Sequence, residues 1–142
     1  MLLIALSGGS PEERVAIADR LVASGKGHLA AFAQMTPSVN CGPRRAALLR
    51  DVLGGTGAIH GGLIIVHCVT QEEAQVVRQA KGAQWHVYGK PSSFVPILRG
   101  DTIVTNAENG FEHVRDPLEA LSELMQREAA NKPRRSRAVV HA

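Results

Sequence analysis

The sequence is poor in cysteine and in aromatic residues, and it contains no long apolar run. Its 142 residues include two cysteines, and aromatic side chains make up 4% of the chain. Cys41 and Cys68 form neither a disulfide framework nor a C-x-x-C metal pair, and we expect Cys68 to be buried and unreactive. The first apolar stretch stops after five residues at a glycine turn, which is too short for a secretory signal or a membrane span. We therefore predict a cytoplasmic protein with no membrane association.

Short motifs that mark catalytic or metal sites are also missing. The nucleophile elbow G-x-S-x-G and the dinucleotide fingerprint G-x-G-x-x-G do not occur. No pair of histidines has the spacing of a metal motif such as H-E-x-x-H. The sequence therefore predicts no catalytic nucleophile and no metal site from its six histidines, which are His28, His60, His67, His86, His113 and His141.

Positive charge is concentrated at the carboxyl end of the chain. The net charge is +3, and the last stretch, "NKPRRSRAVVHA", contains no acid. We expect residues 129–142 to form a flexible basic tail after a globular domain of residues 1–128. The tail is either a solvated terminus or an arm that contacts nucleic acid or an acidic partner by charge. Its basic residues are Lys132, Arg134, Arg135 and Arg137.

Short apolar runs alternate with amphipathic segments along the chain. Strands are predicted at residues 2–6, 62–69, 84–88 and 101–106, while residues 28–35 are interpreted as a short helix or an irregular crossover. Strands separated by helices predict an α/β fold, a three-layer sandwich with a mainly parallel sheet. In such sheets ligands bind beyond the carboxyl ends of the strands. We therefore expect any site at one rim, formed by residues 7–10, 67–70, 89–92 and 105–109.

Capping signals fix where the helices begin. Ser10 is followed by a proline and then by Glu13, and Thr70 is followed three residues later by Glu73. Each pair matches a capping box, in which the hydroxyl and the carboxylate each bond to a backbone amide of the other residue. Further helices are predicted to start at Pro43 and at Asp116.

Three stretches together resemble a known family. They are "IALSGGSPEERVAIADRL", "GGLIIVHCVTQEEAQVVRQAKGAQWHVYG" and "GDTIVTNAENGFEHV". In order and spacing they resemble the strands, turns and helices of P-loop kinases of the deoxynucleoside monophosphate kinase type, many of which are carried by bacteriophages. The resemblance covers roughly residues 2–128. It implies a P-loop NTPase-like fold, a nucleotide ligand and a phage or mobile-element origin.

The chemistry of that family is largely absent from this chain. A P-loop, G-x-x-x-x-G-K-[ST], needs unhindered amides around the phosphates, a lysine to neutralise them and a hydroxyl to hold magnesium. Aligned on Gly8, this sequence has Glu13 for the second glycine, Arg14 for the lysine and Val15 for the hydroxyl residue. Glu13 also places a carboxylate where the helix would otherwise attract an anion. We therefore predict that the helix start is capped internally.

Several basic and glycine residues remain as candidates for binding. The resemblance places Arg44 and Arg45 near the acceptor monophosphate, and it places Lys90 and Arg99 in a segment that serves as a lid. The alternative is that these side chains form solvated charged faces. The candidate nucleotide-binding residues are Gly8, Gly9, Ser10, Arg14, Arg44, Arg45, Lys90 and Arg99.

Three functional hypotheses follow from these observations. The first is a kinase-like protein without phosphotransferase activity that binds a nucleotide or a protein partner. The second is an active ATP-dependent nucleoside monophosphate kinase with an atypical P-loop, and only this one needs ATP and magnesium. The third is a nucleic-acid accessory protein that acts through its basic tail.

Overall fold

The computed structural model describes residues 2–34, 41–55, 61–106 and 114–141, with side chains described as far as residue 130. The strands are β1 Leu3–Ser7, β2 Leu29–Phe32, β3 Gly62–Ile65, β4 Ala83–Val87, β5 Thr102–Val104 and β6 Val114–Arg115. The helices are α1 Pro11–Ala23, α2 Gly42–Gly54, α3 Gln71–Gln79 and α4 Pro117–His141, with a 3-10 turn at Lys26–His28.

These strands form one parallel sheet with the order β2-β3-β1-β4-β5-β6. The first strand of the chain is central, because Leu3 pairs with Leu63 of β3 and Ile4 pairs with Ala83 of β4. Helices cover both faces of the sheet. The predicted α/β class, a three-layer sandwich with a parallel sheet, is confirmed.

The core lies in two layers, one on each side of the sheet. Ile4 and Leu6 of β1 pack with Trp85 against α1 and α4, and Trp85 is only 1% exposed. Leu3 and Ala5, whose side chains alternate to the opposite face, pack against α2 and α3. Because β1 is buried on both faces, its sequence is a continuous apolar run rather than an alternating pattern.

Two strands differ from the sequence prediction. The interpretation of residues 28–35 as a helix or crossover is wrong, because Leu29–Phe32 form β2 in register with Gly62–Ile65. Ala30 and Ala31 favour a helix and are exposed, so no alternation marks this edge strand. The two-residue strand β6 was also not predicted.

The backbone of the basic carboxyl-terminal segment is helical and forms the end of α4. α4 begins after Asp116, whose carboxylate accepts hydrogen bonds from the amides of Leu118 and Glu119, as the sequence predicts. The helix extends to His141, so the predicted boundary between residues 128 and 129 falls inside it. The side chains of Lys132, Arg134, Arg135 and Arg137 lie outside the described ones, and the flexible tail stays a prediction.

No helix in the described part of the chain combines the length and apolar character that a membrane span requires. Residues 107–109 of the predicted rim, together with His60 and His113, lie outside the described residues.

Candidate functional site

The rim at the carboxyl ends of β1 and β3 contains the main polar cluster of the predicted site. These neighbouring strands lead into helices on opposite faces, since α1 packs in one core layer and α3 in the other. A crevice forms where connections diverge in this way, and it is where ligands bind in open α/β sheets. The amide of Cys68 donates to the carbonyl of Leu6, so a backbone hydrogen bond joins the two chain segments at this rim. We call this place the crevice.

The turn after β1 depends on its two glycines. Gly8 and Gly9 have φ values of 75° and 60°, in the left-handed region that other residues rarely adopt. A Cβ on Gly9 would lie 2.7 Å from Cγ1 of Val87, and the amide of Gly9 donates to the carbonyl of Lys90 at 2.7 Å. The turn is therefore pressed against the segment that follows β4, and one of its amides is already bonded.

The predicted capping box at the start of α1 is confirmed. The Ser10 hydroxyl accepts from the amide of Glu13 at 3.1 Å, and the Glu13 carboxylate accepts from the amide of Ser10 at 3.0 Å. With the amide of Gly9, three amides that a phosphate would need are bonded within the chain. Ser10 and Glu13 therefore occupy the position of the anion.

Arg14 is directed back into this turn. Its Nη1 donates to the carbonyls of Gly8 at 2.7 Å and Gly9 at 3.3 Å, and its Nε donates to Nδ1 of His67 at 3.1 Å. The residue is only 7% exposed, and burial lowers the pKa of its guanidinium. The turn thus presents carbonyl oxygens to a cation, which is the opposite polarity to a loop that wraps a phosphate with amides.

Arg14 forms no ion pair with a carboxylate of the described residues. None of the ion pairs between described residues includes it, and its hydrogen-bond acceptors there are two carbonyls and an imidazole, all neutral. A guanidinium stays charged at any physiological pH. The crevice therefore holds a nearly buried positive charge that no described carboxylate contacts directly, although Glu12 and Glu13 lie near enough to offset part of it.

His67 is held at the end of β3 by two arginines. Its Nδ1 accepts from Arg14, and its carbonyl accepts from Nη2 of Arg45 at 3.0 Å. Partial burial lowers the pKa of the imidazole, and the charges of Arg14 and Arg45 lower it further. Because Nδ1 accepts a hydrogen bond, the neutral ring carries its proton on Nε2. The sequence analysis favours a hydrogen-bonded His67 over a metal ligand, but it does not identify Arg14 as the partner.

Arg45 forms a buried ion pair with Glu73. Nε of Arg45 lies 2.8 Å from Oε1 of Glu73, and their side chains are 2% and 1% exposed. The same oxygen accepts from the Thr70 hydroxyl and from the amide of Val69. Thr70 caps α3 as predicted, but the second capping box is only half formed, because the carboxylate turns to Arg45 instead of the Thr70 amide.

The side chains of the other predicted basic residues, Arg44, Lys90 and Arg99, are exposed, and within the described structure they form no hydrogen bond or ion pair with Arg14. Arg44 is exposed on α2 while its neighbour Arg45 is buried, so the two side chains face different directions. Lys90 and Arg99 are exposed in the segment between β4 and β5. Among the eight candidates, Gly8, Gly9, Ser10 and Arg14 form one connected cluster in the described structure, Arg45 joins it through His67, and Lys90 joins it through its carbonyl.

Cys68 is unreactive. It is buried and donates to Oε1 of Gln84, and burial raises the pKa of its thiol to about 12. Its carbonyl accepts from the Ser7 hydroxyl, which in turn accepts from Gln84. The prediction that Cys68 is buried is confirmed. Gln84 was missed, although a polar residue inside an otherwise apolar strand is a signal of such a network.

A second polar cluster fixes the base of the segment after β4. The Asp101 carboxylate accepts from both terminal nitrogens of Arg78, at 3.0 and 2.8 Å, and lies 2.8 Å from Nε2 of His86. It also accepts from the amide of Leu98. Burial alone would raise the pKa of Asp101, but these hydrogen bonds outweigh it and hold the pKa below its ordinary value.

A cavity of about 290 Å³ lies at the opposite, amino-terminal edge of the sheet, lined in part by Leu3, Arg78 and Asp101. None of the predicted site residues lines it. Within the described ranges, no group of three or more His, Cys, Asp or Glu side chains is placed to hold a metal ion.

Two positions of the turn differ from a P-loop that binds magnesium-bound ATP. Val15 stands where a P-loop has its magnesium hydroxyl, and it is 40% exposed on α1. Arg14 stands where the lysine would be, but it donates to the turn itself. A comparison with known proteins finds no match: no family model, no curated protein and no solved structure matches this chain.

Proposed function

We propose that this protein binds a phosphate-bearing ligand of the nucleotide class in the crevice and does not transfer its phosphoryl group. The observation that carries the proposal is the nearly buried charge of Arg14, which only neutral acceptors contact. A buried charge without a counter-charge is unfavourable, and an anionic ligand beside it would offset that loss. The kinase resemblance suggests which anion this is, namely the phosphate of a nucleotide.

Donors for such an anion are present beside the occupied turn. Nη2 of Arg14 and Nε2 of the neutral His67 make no hydrogen bond to described residues, although the two side chains contact each other. An arginine and an imidazole N–H are suited to phosphate oxygens because both donate in fixed directions. Binding would therefore use side chains in place of the loop amides.

The absence of transfer follows from the same contacts. Phosphoryl transfer relies on positioning and charge neutralisation by loop amides, a lysine and magnesium. Here the Gly9, Ser10 and Glu13 amides are bonded within the chain. An active kinase would need this turn to be rebuilt around its ligand, with loss of the capping box and of the Arg14 contacts.

The test is a thermal-shift titration with the four deoxynucleoside monophosphates, ATP and dATP, each with and without magnesium. A ligand that binds the native state raises its melting temperature. We expect a shift that does not need magnesium and that is lost in Arg14→Gln. Arg50→Gln is the matched control, because Arg50 is an exposed arginine on α2. Should Arg14→Gln fail to fold, Arg14→Lys keeps the charge and removes the two-pronged contact.

Two outcomes contradict the proposal. No shift with any nucleotide would show that the Arg14 charge is tolerated without a ligand. A magnesium-dependent shift with ATP, together with monophosphate turnover in the usual kinase range of roughly 1 to 100 per second, would support the active kinase instead.

A further inference from the structure

The segment between β4 and β5 exposes most of the large apolar side chains found at the described surface. Tyr88, Phe94, Ile97 and Leu98 are 51%, 60%, 50% and 45% exposed. The other exposed large apolar residues are Val15, Val22 and Leu48, which are single positions on helices. Clustered exposed apolar side chains mark binding surfaces, whereas scattered ones do not. We call residues 88–99 the loop surface.

The loop surface is held in place by buried contacts. Val95, 1% exposed, packs in the core layer of α2 and α3. The Ser92 hydroxyl accepts from the amides of Phe94 and Val95, and the Asp101 carboxylate accepts from the amide of Leu98. The exposed side chains are therefore presented from an anchored backbone, which lowers the entropy that binding would cost.

The charge of the loop surface selects its partner. Its charged residues are Lys90 and Arg99, both exposed and both positive. The nearest acid in sequence, Asp101, is 6% exposed and already bonded to Arg78 and His86. The charge of this surface therefore favours an anionic partner. Two copies of this surface packed face to face would oppose like charges, which argues against self-association through it.

The loop surface is also continuous with the crevice. The carbonyl of Lys90 accepts from the amide of Gly9, and a Cβ on Gly8 would lie 3.3 Å from that carbonyl and 3.5 Å from the amide of Ser92. One extended ligand can therefore contact both places. Such a ligand must have phosphates that contact Lys90 and Arg99, and flat apolar groups that stack on Phe94.

We propose that the loop surface binds single-stranded nucleic acid, with a base stacked on Phe94 and one backbone phosphate at Arg14. Proteins that bind single strands without sequence preference combine such cations with exposed aromatic rings. Lys90 and Arg99 contact neighbouring phosphates, and Ile97 and Leu98 cover sugar and base edges. This inference rests on the proposed function, because it extends the ligand of the same crevice.

The test measures fluorescence anisotropy of labelled dT12 and rU12 with the full chain at 50 and 200 mM salt. We expect Phe94→Ala to weaken binding roughly 5- to 150-fold, equivalent to about 1–3 kcal/mol for one stacked base. We expect Phe94→Trp to bind as the wild type does, because tryptophan keeps an aromatic ring at this position. Leu48→Ala is the matched control, an exposed apolar side chain on α2 that leaves binding unchanged. Binding of the wild type weakens at the higher salt concentration.

Each other outcome overturns a defined part of the proposal. Oligonucleotide binding unaffected by Phe94→Ala but lost on deletion of residues 131–142 assigns it to the basic segment and overturns the loop surface. Binding to phosphatidylserine vesicles without binding to dT12 replaces nucleic acid by a lipid surface. A thermal shift with dTMP but no oligonucleotide binding retains the proposed function and overturns this inference. Oligonucleotide binding that depends on Phe94, without a thermal shift by any nucleotide, supports binding at the loop surface. It overturns the phosphate contact at Arg14.

Discussion

The replacement of Glu73 by glutamine tests the most deeply buried charge pair among the described residues. The substitution keeps the size of the side chain and an oxygen that can accept from Thr70, but it removes the negative charge opposite Arg45. Because Arg45 is 1% exposed, the substitution leaves its buried charge without the carboxylate of Glu73. Removing one partner of a buried pair costs about 3–5 kcal/mol.

That magnitude is large beside the total stability of a domain of this size. Native domains are stable by about 5–15 kcal/mol, so the variant should lose roughly a third of its free energy of unfolding. With a urea slope near 2 kcal/mol per molar, the midpoint should fall by roughly 2 M. Equilibrium urea unfolding followed by circular dichroism measures this directly.

Two controls make the result interpretable. Glu123→Gln removes the exposed pair that Arg115 and Glu123 form at 3.3 Å, and it should cost less than about 1 kcal/mol. The double variant Arg45→Met with Glu73→Met replaces the buried pair by apolar side chains, and it should be more stable than Glu73→Gln. If Glu73→Gln unfolds at the same urea concentration as Glu123→Gln, the reasoning that Arg45 depends on this carboxylate is refuted.

Three further predictions concern the turn and the base of the loop surface. The triple variant Glu13→Gly, Arg14→Lys and Val15→Thr recreates G-x-x-x-x-G-K-T, and calorimetry should show magnesium-dependent ATP binding that the wild type lacks; no gain would count against the kinase resemblance. Asp101, whose pKa is lowered in the folded state, stabilises the protein above its unfolded pKa and loses that contribution as the pH falls below about 4. Urea titrations at pH 7 and pH 3 should therefore show a smaller acid-induced loss of stability for Asp101→Asn, and an equal loss would contradict the assignment. Gly9→Ala should cost more than about 1 kcal/mol, because it strains a φ of 60° and meets a β4 side chain, and thermal melting will show no change if the turn relaxes.

The parts of the fold that the sequence predicts are those fixed by local contacts. Ser10 and Glu13 are three residues apart, and their capping box requires no distant group. The buried strand β1 is likewise marked by its own apolar run. By contrast, β2 exists because its backbone pairs with β3, and the helix preference of Ala30 and Ala31 gives the opposite prediction.

The sequence predicts which rim of the sheet the candidate residues occupy, but it does not predict the hydrogen bonds that their side chains form. The rim follows from the parallel topology, and Arg14 follows from its position after the glycine turn. The direction of its side chain does not follow, because one of its acceptors is His67, 53 residues away. In the same way, the spacing of Glu73 from Thr70 predicts only a capping role. Its main partner, Arg45, lies 28 residues earlier. Long-range partners of polar side chains leave no periodic pattern in a sequence.

The central position of β1 also has a consequence for synthesis on the ribosome. β1 is made before β3 and β4, the strands on either side of it, which pair with it through residues 63 and 83, 60 and 79 positions after their partners in β1. At synthesis rates of about 5–20 residues per second, this strand waits roughly 4 to 16 s until both partners are made. During that time an apolar strand with two open edges is exposed to other chains. The nascent chain is therefore most vulnerable to aggregation before β4 emerges, and slower translation lengthens that interval.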